Sequence, residues 1–169
     1  MITGGAGAVA TCAIQIARQL GAVVLSLASK KNFEYLKRLG ANEVFDYHVD
    51  FQAQILEKYP NGVDSVYHCT SNEGTGAKAS EVLRFGGTFC TITSFPHEVE
   101  RRKDIQTLRA DVNPNGEQLE KLAQTILEGK IRLPVEKTFP FENAQKALEH
   151  MEHLHSRGKV VLTMEKRVA

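Results

Sequence analysis

The sequence predicts an α/β protein in which a doubly wound parallel sheet carries helices on both faces. Short apolar runs of the kind that form buried strands alternate with stretches of helical periodicity. A glycine-rich turn at residues 4–7 opens the first helical stretch, and glycine or proline follows the helical stretches after it. Because parallel strands are joined by right-handed crossovers, this order places helices on both sides of the sheet.

The first half of the chain supplies the elements of this sheet. A short apolar piece, residues 1–2, precedes the turn, whereas a complete strand has about five residues, so we expect a truncated first strand. The strands expected after it are residues 23–27, 43–47, 63–69 and 88–93. The expected helices are residues 9–20, 31–39, 51–59 and 77–84.

The second half has a different texture. Residues 96–103 are polar and charged, which predicts an exposed loop, and residues 105–112 are a candidate edge strand. A turn at residues 113–116 leads into an amphipathic helix. The apolar side of that helix holds Leu119, Leu122, Ala123, Ile126 and Leu127. A further helix at residues 143–153 and a strand at residues 158–164 complete the prediction.

Composition and charge exclude several classes of function. Of the 169 residues, 42% are hydrophobic and 24% charged, as in ordinary globular proteins. The formal net charge of +1 gives no reason to expect nucleic acid as a partner. No apolar run approaches the ~20 residues that cross a membrane, so we expect no membrane segment. No leader precedes the glycines and the three cysteines are widely spaced, which favours a cytoplasmic protein with reduced thiols.

The glycine-rich turn is the candidate binding site. Gly5, Gly7 and Ala10 fit the G-x-G-x-x-G/A pattern of dinucleotide-binding Rossmann folds, and they stand between an apolar stub and a helix. Such a turn brings backbone N–H groups and a helix N-terminus against a pyrophosphate. The alternative is a glycine-rich turn that holds no ligand. The specific fold prediction is therefore a Rossmann fold.

The end of the second strand indicates which nicotinamide cofactor would bind. An NAD site needs an acidic residue about 20 residues beyond the glycines, to accept hydrogen bonds from the ribose 2′-hydroxyl. Here Ser29, Lys30 and Lys31 occupy that region, and the first acid is Glu34. A hydroxyl and an ammonium attract a 2′-phosphate, which favours NADP(H). The alternative is that the two lysines belong to a solvated helix start.

Longer runs in the sequence resemble one protein family. Residues 4–22 closely resemble the opening of the cofactor domain of medium-chain dehydrogenases/reductases, and residues 39–47 resemble the third strand of that family. Further similar runs follow in the family's order: Gly86-Gly87 with the next strand, then residues 129–132, 139–141 and 157–162. Within the family the chain is similar to the zinc-independent, NADPH-using quinone or enone reductases, often labelled zinc-binding dehydrogenases.

The resemblance implies roles for individual residues around the cofactor. Those expected under the pyrophosphate are Gly5, Ala6, Gly7, Ala8 and Val9. Those expected at the 2′-phosphate and adenosine are Ser29, Lys30 and Tyr47, and those on the nicotinamide-ribose side are Cys69, Thr70, Ser71, Thr93 and Ser94. The family usually has glycine where Ala8 and Ala10 stand. Residues 68–71 also differ from the usual run, so contacts there stay open.

The resemblance also implies a function. Residues 1–130 would be an NADP-binding Rossmann domain, and residues 131–169 a segment that in the family rejoins a catalytic domain built from preceding residues. The chain would then be the NADPH-binding domain of an oxidoreductase that passes hydride to a quinone, enone or carbonyl. We expect it to be inactive alone, with no catalytic residue inside it and a small-molecule substrate in the intact protein. The alternative is a non-catalytic nucleotide-binding or interaction module, while a methyltransferase-like Rossmann protein is disfavoured.

Residues 131–164 would lack the packing partners they have in the family. We expect them either to pack against the Rossmann domain in an altered way or to mediate association of chains, for which a homodimer is one form. Without such cover Phe139, Phe141 and Val160 would form an apolar patch.

The histidines and Cys69 each have a structural and a functional interpretation. His150, His153 and His155 favour an exposed polar face over a metal site, so no metal is expected. His68 ends a buried strand and fits a hydrogen-bonded packing residue better than a proton donor. For Cys69, a buried inert thiol is favoured over a reactive one.

Overall fold

A computed structural model describes residues 1–153 and 157–164. Its helices are α1 (Ala8–Gln19), α2 (Phe33–Leu39), α3 (Phe51–Lys58), α4 (Glu73–Glu81), α5 (His97–Arg101), α6 (Gly116–Leu127) and α7 (Ala144–His153). Its strands are β1 (Leu25–Ala28), β2 (Glu43–Asp46), β3 (Val63–His68), β4 (Leu83–Thr91), β5 (Gln106–Arg109), β6 (Val135–Pro140) and β7 (Lys159–Thr163). Short 3₁₀ helices precede α2 and α7, at Lys30–Asn32 and Phe141–Asn143.

Residues 1–3 join two groups of parallel strands into one sheet. β1 pairs with β2, and β3, β4 and β5 pair in that order. Between β1 and β3, the N–H of Ile2 donates to the Leu25 carbonyl at 2.8 Å and the N–H of Tyr67 donates to the Met1 carbonyl at 2.8 Å. The strand order is therefore β2, β1, residues 1–3, β3, β4, β5. This is the doubly wound arrangement, and the predicted fold class is confirmed.

The core lies in two layers, one on each face of the sheet. Successive side chains of a strand point to opposite faces, so Leu25 and Leu27 enter one apolar cluster while Val24 and Ala28 enter the other. Buried residues of α1 and α2 complete the second cluster, and those of α3, α4 and α5 complete the first. Helices thus cover both faces, as the alternation of strands and helices predicts.

One predicted segment was wrong. Residues 96–103, expected to be an exposed loop, contain α5, whose Val99 is fully buried in the core. A five-residue helix is too short to show apolar periodicity, and its one core residue stands among charged neighbours, so the pattern indicated solvent. The boundaries of α4 and β4 also differ from expectation. α4 begins at Glu73 rather than at residue 77, because the Asn72 side chain caps it by accepting from the Thr75 N–H at 2.9 Å.

The last elements form a small sheet of their own. β6, which the apolar pattern did not predict as a strand, pairs in parallel with β7, and α7 connects them. Phe139 is half-buried with its ring 5.6 Å from the His150 ring, and Phe141 stays 56% exposed. His155 lies outside the described residues.

Several hydrogen bonds attach this second sheet to the first. The buried side chain of Gln15 accepts from the Arg132 N–H at 2.9 Å and donates to the Arg132 carbonyl at 3.0 Å. The N–H of Gly158 donates to the Ala6 carbonyl at 3.2 Å. The sheets therefore meet along α1. α6 forms as predicted but contains no buried residue, and Leu119 and Leu127 are among its exposed apolar side chains. The division at residue 130 stays a prediction.

Candidate functional site

The first two glycines of the turn, Gly4 and Gly5, follow a backbone path that leaves no room for a side chain. Gly4 has φ +64°, and a Cβ there would lie 3.0 Å from the Cys69 carbonyl oxygen. A Cβ on Gly5 would lie 2.2 Å from the Ser26 Oγ and 2.8 Å from a Leu36 methyl. The N–H of Gly7 donates to the Gly4 carbonyl at 2.8 Å and closes the turn. The turn thus passes so close to Cys69 and to β1 that positions 4 and 5 require glycine.

The turn leads into a helix end that is suited to an anion. α1 begins at Ala8, and its N-cap Gly7 offers no side-chain acceptor to the first N–H groups of the helix. No acidic residue stands in the first turn. The positive end of the helix dipole and the free N–H groups therefore face outward without a counter-charge.

A cavity of about 680 Å³ opens beside this helix end, at the carboxyl edge of the parallel strands. It lies where the chain order reverses, between the ends of β1 and β3, which is the usual position of ligands in doubly wound sheets. Its lining comprises Gly4, Gly5, Ala6, Gly7, Leu27, Ala28, Ser29, Asn32, Tyr47, His48, Cys69, Thr70, Asn72, Thr75 and Met151. The volume lies within the range of known small-molecule and cofactor sites.

Most of the residues expected at the cofactor line this cavity. They are Gly5, Ala6, Gly7, Ser29, Tyr47, Cys69 and Thr70. Ala8 and Val9 instead border an apolar hollow between α1 and residues 133–134. Lys30 is exposed at the start of the short 3₁₀ helix. Thr93 lies behind the lining and donates from its hydroxyl to the Thr70 carbonyl at 3.3 Å.

The structure adds lining residues that the sequence analysis did not select. Asn32 and His48 stand three and one residues from predicted members, so extending the prediction along each loop would have found them. Asn72 and Thr75 open α4, and a capping pattern was the available signal. Met151 comes from α7, and no local feature of the sequence connects it to the glycine turn.

The cavity wall carries no negative charge: none of the described lining residues is an aspartate or glutamate. The nearby Asp46, at the end of β2, is buried and accepts from the backbone N–H of His48 at 3.0 Å and contacts its Nδ1 at 2.7 Å. These hydrogen bonds, together with the charge of Lys30, lower the pKa of the Asp46 carboxyl. Asp46 therefore stays ionised but is directed at His48 rather than into the cavity.

His68 and Cys69, at the end of β3, have the properties of structural residues. The His68 ring is 1% exposed, its Nδ1 lies 2.9 Å from the Thr3 hydroxyl, and burial lowers its pKa. Burial raises the pKa of the Cys69 thiol to about 12, with a contribution from neighbouring Cys90. A neutral histidine and a protonated thiol agree with the packing interpretation of both.

Comparisons with known proteins settle the family. A family model described as zinc-binding dehydrogenase matches residues 39–162. This chain belongs to the zinc-binding dehydrogenase family. The resemblance to quinone-oxidoreductase-like medium-chain dehydrogenases/reductases is thereby confirmed.

Relatives of this zinc-binding dehydrogenase chain are oxidoreductases by name. The mitochondrial NAD(P)H oxidoreductase RTN4IP1 of Danio rerio is 30% identical over 97% of the chain and 48% of its own length. The 2-methylene-furan-3-one reductase of Solanum lycopersicum is 30% identical over 96% of the chain and 39% of its own length. The solved quinone oxidoreductase of Coxiella burnetii superposes with a TM-score of 0.87 at 31% identity, covering 97% of this chain and 52% of its own. The chain spans about half the length of these relatives.

The name of the family implies zinc. Within residues 1–153 and 157–164, no three histidine, cysteine, aspartate or glutamate side chains are grouped as metal ligands. The described residues therefore do not fit a zinc centre. In the same part of the chain, no helix is long and apolar enough to cross a membrane. Relatives include mitochondrial and chloroplast proteins by name, so the cytoplasmic location stays a prediction.

Proposed function

We propose that this chain binds NADPH in the cavity beside the glycine turn, and that it is the cofactor-binding part of an oxidoreductase. The observation that carries the proposal is the joint position of the uncapped N-terminus of α1 and of Ser29 in one cavity without acidic lining. The pyrophosphate would lie on the turn, next to the first N–H groups of α1. The adenosine would extend from there towards Ser29 and Tyr47.

The choice of NADPH over NADH rests on charge. In an NAD site a carboxylate at the end of the second strand accepts a hydrogen bond from the ribose 2′-hydroxyl. Here that position is Ser29, with Lys30 exposed beside it, and the nearby Asp46 accepts hydrogen bonds from His48. A 2′-phosphate would meet a hydroxyl donor and an ammonium without a repelling carboxylate in the wall.

The reaction proposed for the intact protein is hydride transfer to a quinone, enone or carbonyl compound. The names of its relatives, which include quinone oxidoreductases and reductases of conjugated ketones, support this class of substrate. When bound, the nicotinamide supplies the hydride, and the protein supplies orientation and electrostatics. In this chain Cys69 and Thr70, at the end of β3, would flank the nicotinamide ribose, and Thr93 would hold the Thr70 backbone.

Exchange of one side chain tests the cofactor assignment. Ser29→Asp places a carboxylate at the 2′-position, so we expect NADPH affinity to fall at least ~tenfold while NADH affinity holds or rises. Asn42→Asp is the matched control, because it adds the same charge just before β2, at the edge of the sheet opposite to the cavity. It also keeps an acceptor for the Val24 N–H. Titration calorimetry measures both ligands. An unchanged NADPH:NADH preference in Ser29→Asp would overturn the placement of the phosphate.

A turnover assay separates the cofactor-binding interpretation from its alternative. NADPH oxidation with a quinone or an enone is measured for the 169-residue chain and for a version joined to the catalytic domain of a relative. We expect turnover only in the joined protein. No turnover in a correctly folded joined protein that binds NADPH would instead support a non-catalytic nucleotide-binding module.

A further inference from the structure

A buried asparagine connects the second sheet to the candidate cofactor site. Asn32 is 4% exposed and lines the cavity next to Ser29. Its Oδ1 lies 2.6 Å from the Nε of Arg157, a residue 125 positions further along the chain. On its other side, its Nδ2 lies 3.2 Å from the Ser29 Oγ. These contacts form a continuous path from Arg157 to the cavity wall.

The chemistry of arginine fixes the direction of every hydrogen bond in this path. A guanidinium only donates, so the atom of Asn32 that faces Arg157 must be its acceptor, Oδ1. The Nδ2 group of Asn32 must then face Ser29, and it donates to the Ser29 oxygen. With that oxygen accepting, the Ser29 hydroxyl hydrogen is free to point at an acceptor in the cavity. No described residue accepts it.

Arg157 is itself held from two further sides. Its Nη2 donates to the Lys31 carbonyl at 2.8 Å, and its guanidinium lies 5.5 Å from the centre of the Tyr35 ring. No described carboxylate forms an ion pair with its side chain. Arg157 therefore contacts the residues that begin α2 and does not form an ion pair with a described carboxylate.

We infer that Arg157 is a positioning residue for selection of the 2′-phosphate, acting through Asn32 on the Ser29 hydroxyl. A phosphate only accepts hydrogen bonds, so it gains from a hydroxyl whose hydrogen is directed into the cavity. Without Arg157, the Asn32 amide is free to turn and take that hydrogen for its own oxygen. The inference rests on the proposed function, and it makes the second sheet a contributor to cofactor choice.

Removing the donors of Arg157 tests the inference. Arg157→Met keeps an apolar stem against Tyr35, and we expect NADPH affinity to fall about tenfold with NADH affinity unchanged within about twofold. A purely structural role would weaken both ligands alike. Arg38→Met is the matched control, because Arg38 is an exposed arginine at the far end of α2, and this variant should keep the wild-type preference.

A double-mutant cycle distinguishes action through Ser29 from direct attraction of the phosphate. In a Ser29→Ala background, Arg157→Met should cost little further NADPH affinity, because the hydroxyl it orients is gone. Equal losses in both backgrounds would overturn the inference.

Asn32→Asp tests the middle of the path. The new carboxylate keeps the contact with Arg157 but accepts from the Ser29 hydroxyl, so this variant should also lose the preference for NADPH. A retained preference would contradict the path. Wild-type protein that binds no NADPH would refute the proposed function itself.

Discussion

At the scale of single residues, Gly5 shows why the turn tolerates so little change. A Cβ at this position would lie 3.1 Å from the Leu27 carbonyl oxygen in addition to its close approach to Ser26 and Leu36. The Ser26 hydroxyl is held by its hydrogen bond to the Ile2 carbonyl at 3.1 Å, and the Leu36 side chain is fully buried, so neither has free space to turn into. Gly5 is therefore required by the packing of the turn, and under the proposed function the same residue also allows a pyrophosphate to approach.

We predict that Gly5→Ala destabilises the protein by about 1–3 kcal/mol, the usual cost of overpacking a rigid site. Gly116→Ala is the control, since a Cβ there meets nothing within 4 Å at the start of α6. That variant should be stabilised by about 0.4–1 kcal/mol. Urea denaturation measures both. Equal stability of the two variants would contradict the described path of the turn.

His68 gives the protein a defined pH dependence. Burial lowers its pKa below the ordinary value of 6.5, so below that pH the unfolded chain takes up a proton that the folded chain does not. The free energy of unfolding should therefore fall between pH 7.5 and 5.5, and His68→Gln should reduce this fall. Carboxyl groups with lowered pKa, such as that of Asp46, act at lower pH. Exposed His97→Gln is the control, and an undiminished fall in His68→Gln would argue against a buried neutral ring.

The candidate site was partly predictable residue by residue. Gly5 belongs to a glycine fingerprint, and Ser29 and Tyr47 stand at strand ends. Such local patterns can be recognised from the sequence alone. Asn32 and Met151 have no such pattern. Their positions depend on how α2 and α7 approach the turn, and this is decided by tertiary packing.

At the scale of elements, the apolar pattern predicted those whose buried residues recur with a regular period. β1 to β3 and helices α1 to α3 follow this rule, because each packs two or more buried or half-buried apolar side chains into the core. α5 buries one and was missed. β6 carries the adjacent charged residues Glu136 and Lys137 and ends in Pro140, so it gave no strand signal.

The helical assignment of α5 makes a prediction about Val99. Val99→Ala should destabilise the protein by about 1–3 kcal/mol, because the side chain is fully buried in the core cluster that also contains residues of α4 and β4. Val112→Ala removes the same atoms from a residue that is 93% exposed, and should lower the free energy of unfolding by less than about 0.5 kcal/mol. Thermal and urea denaturation compare the two. Equal, small losses of stability in the two variants would instead support an exposed loop at residues 96–103.

At the scale of the whole molecule, Gln15 is the joint between the two sheets. Its buried amide hydrogen-bonds to both the N–H and the carbonyl of Arg132, next to the buried Ile131. Gln15→Glu can still accept from the Arg132 N–H but cannot donate to its carbonyl. We therefore predict that the free energy of unfolding falls by about 1–3 kcal/mol and that trypsin cleaves faster at Lys130 or Arg132. The exposed Gln118→Glu should leave cleavage unchanged, and similar cleavage of both variants would refute the joint.

Under the proposed function, the cavity beside the glycine turn selects a nicotinamide dinucleotide by its 2′-phosphate. Calorimetric titration of the chain with NADPH and with NADH tests it most directly. A cavity wall without acid, next to Ser29 and Lys30, predicts NADPH binding at least about tenfold tighter than NADH binding. Tighter binding of NADH, or binding of neither, would contradict it.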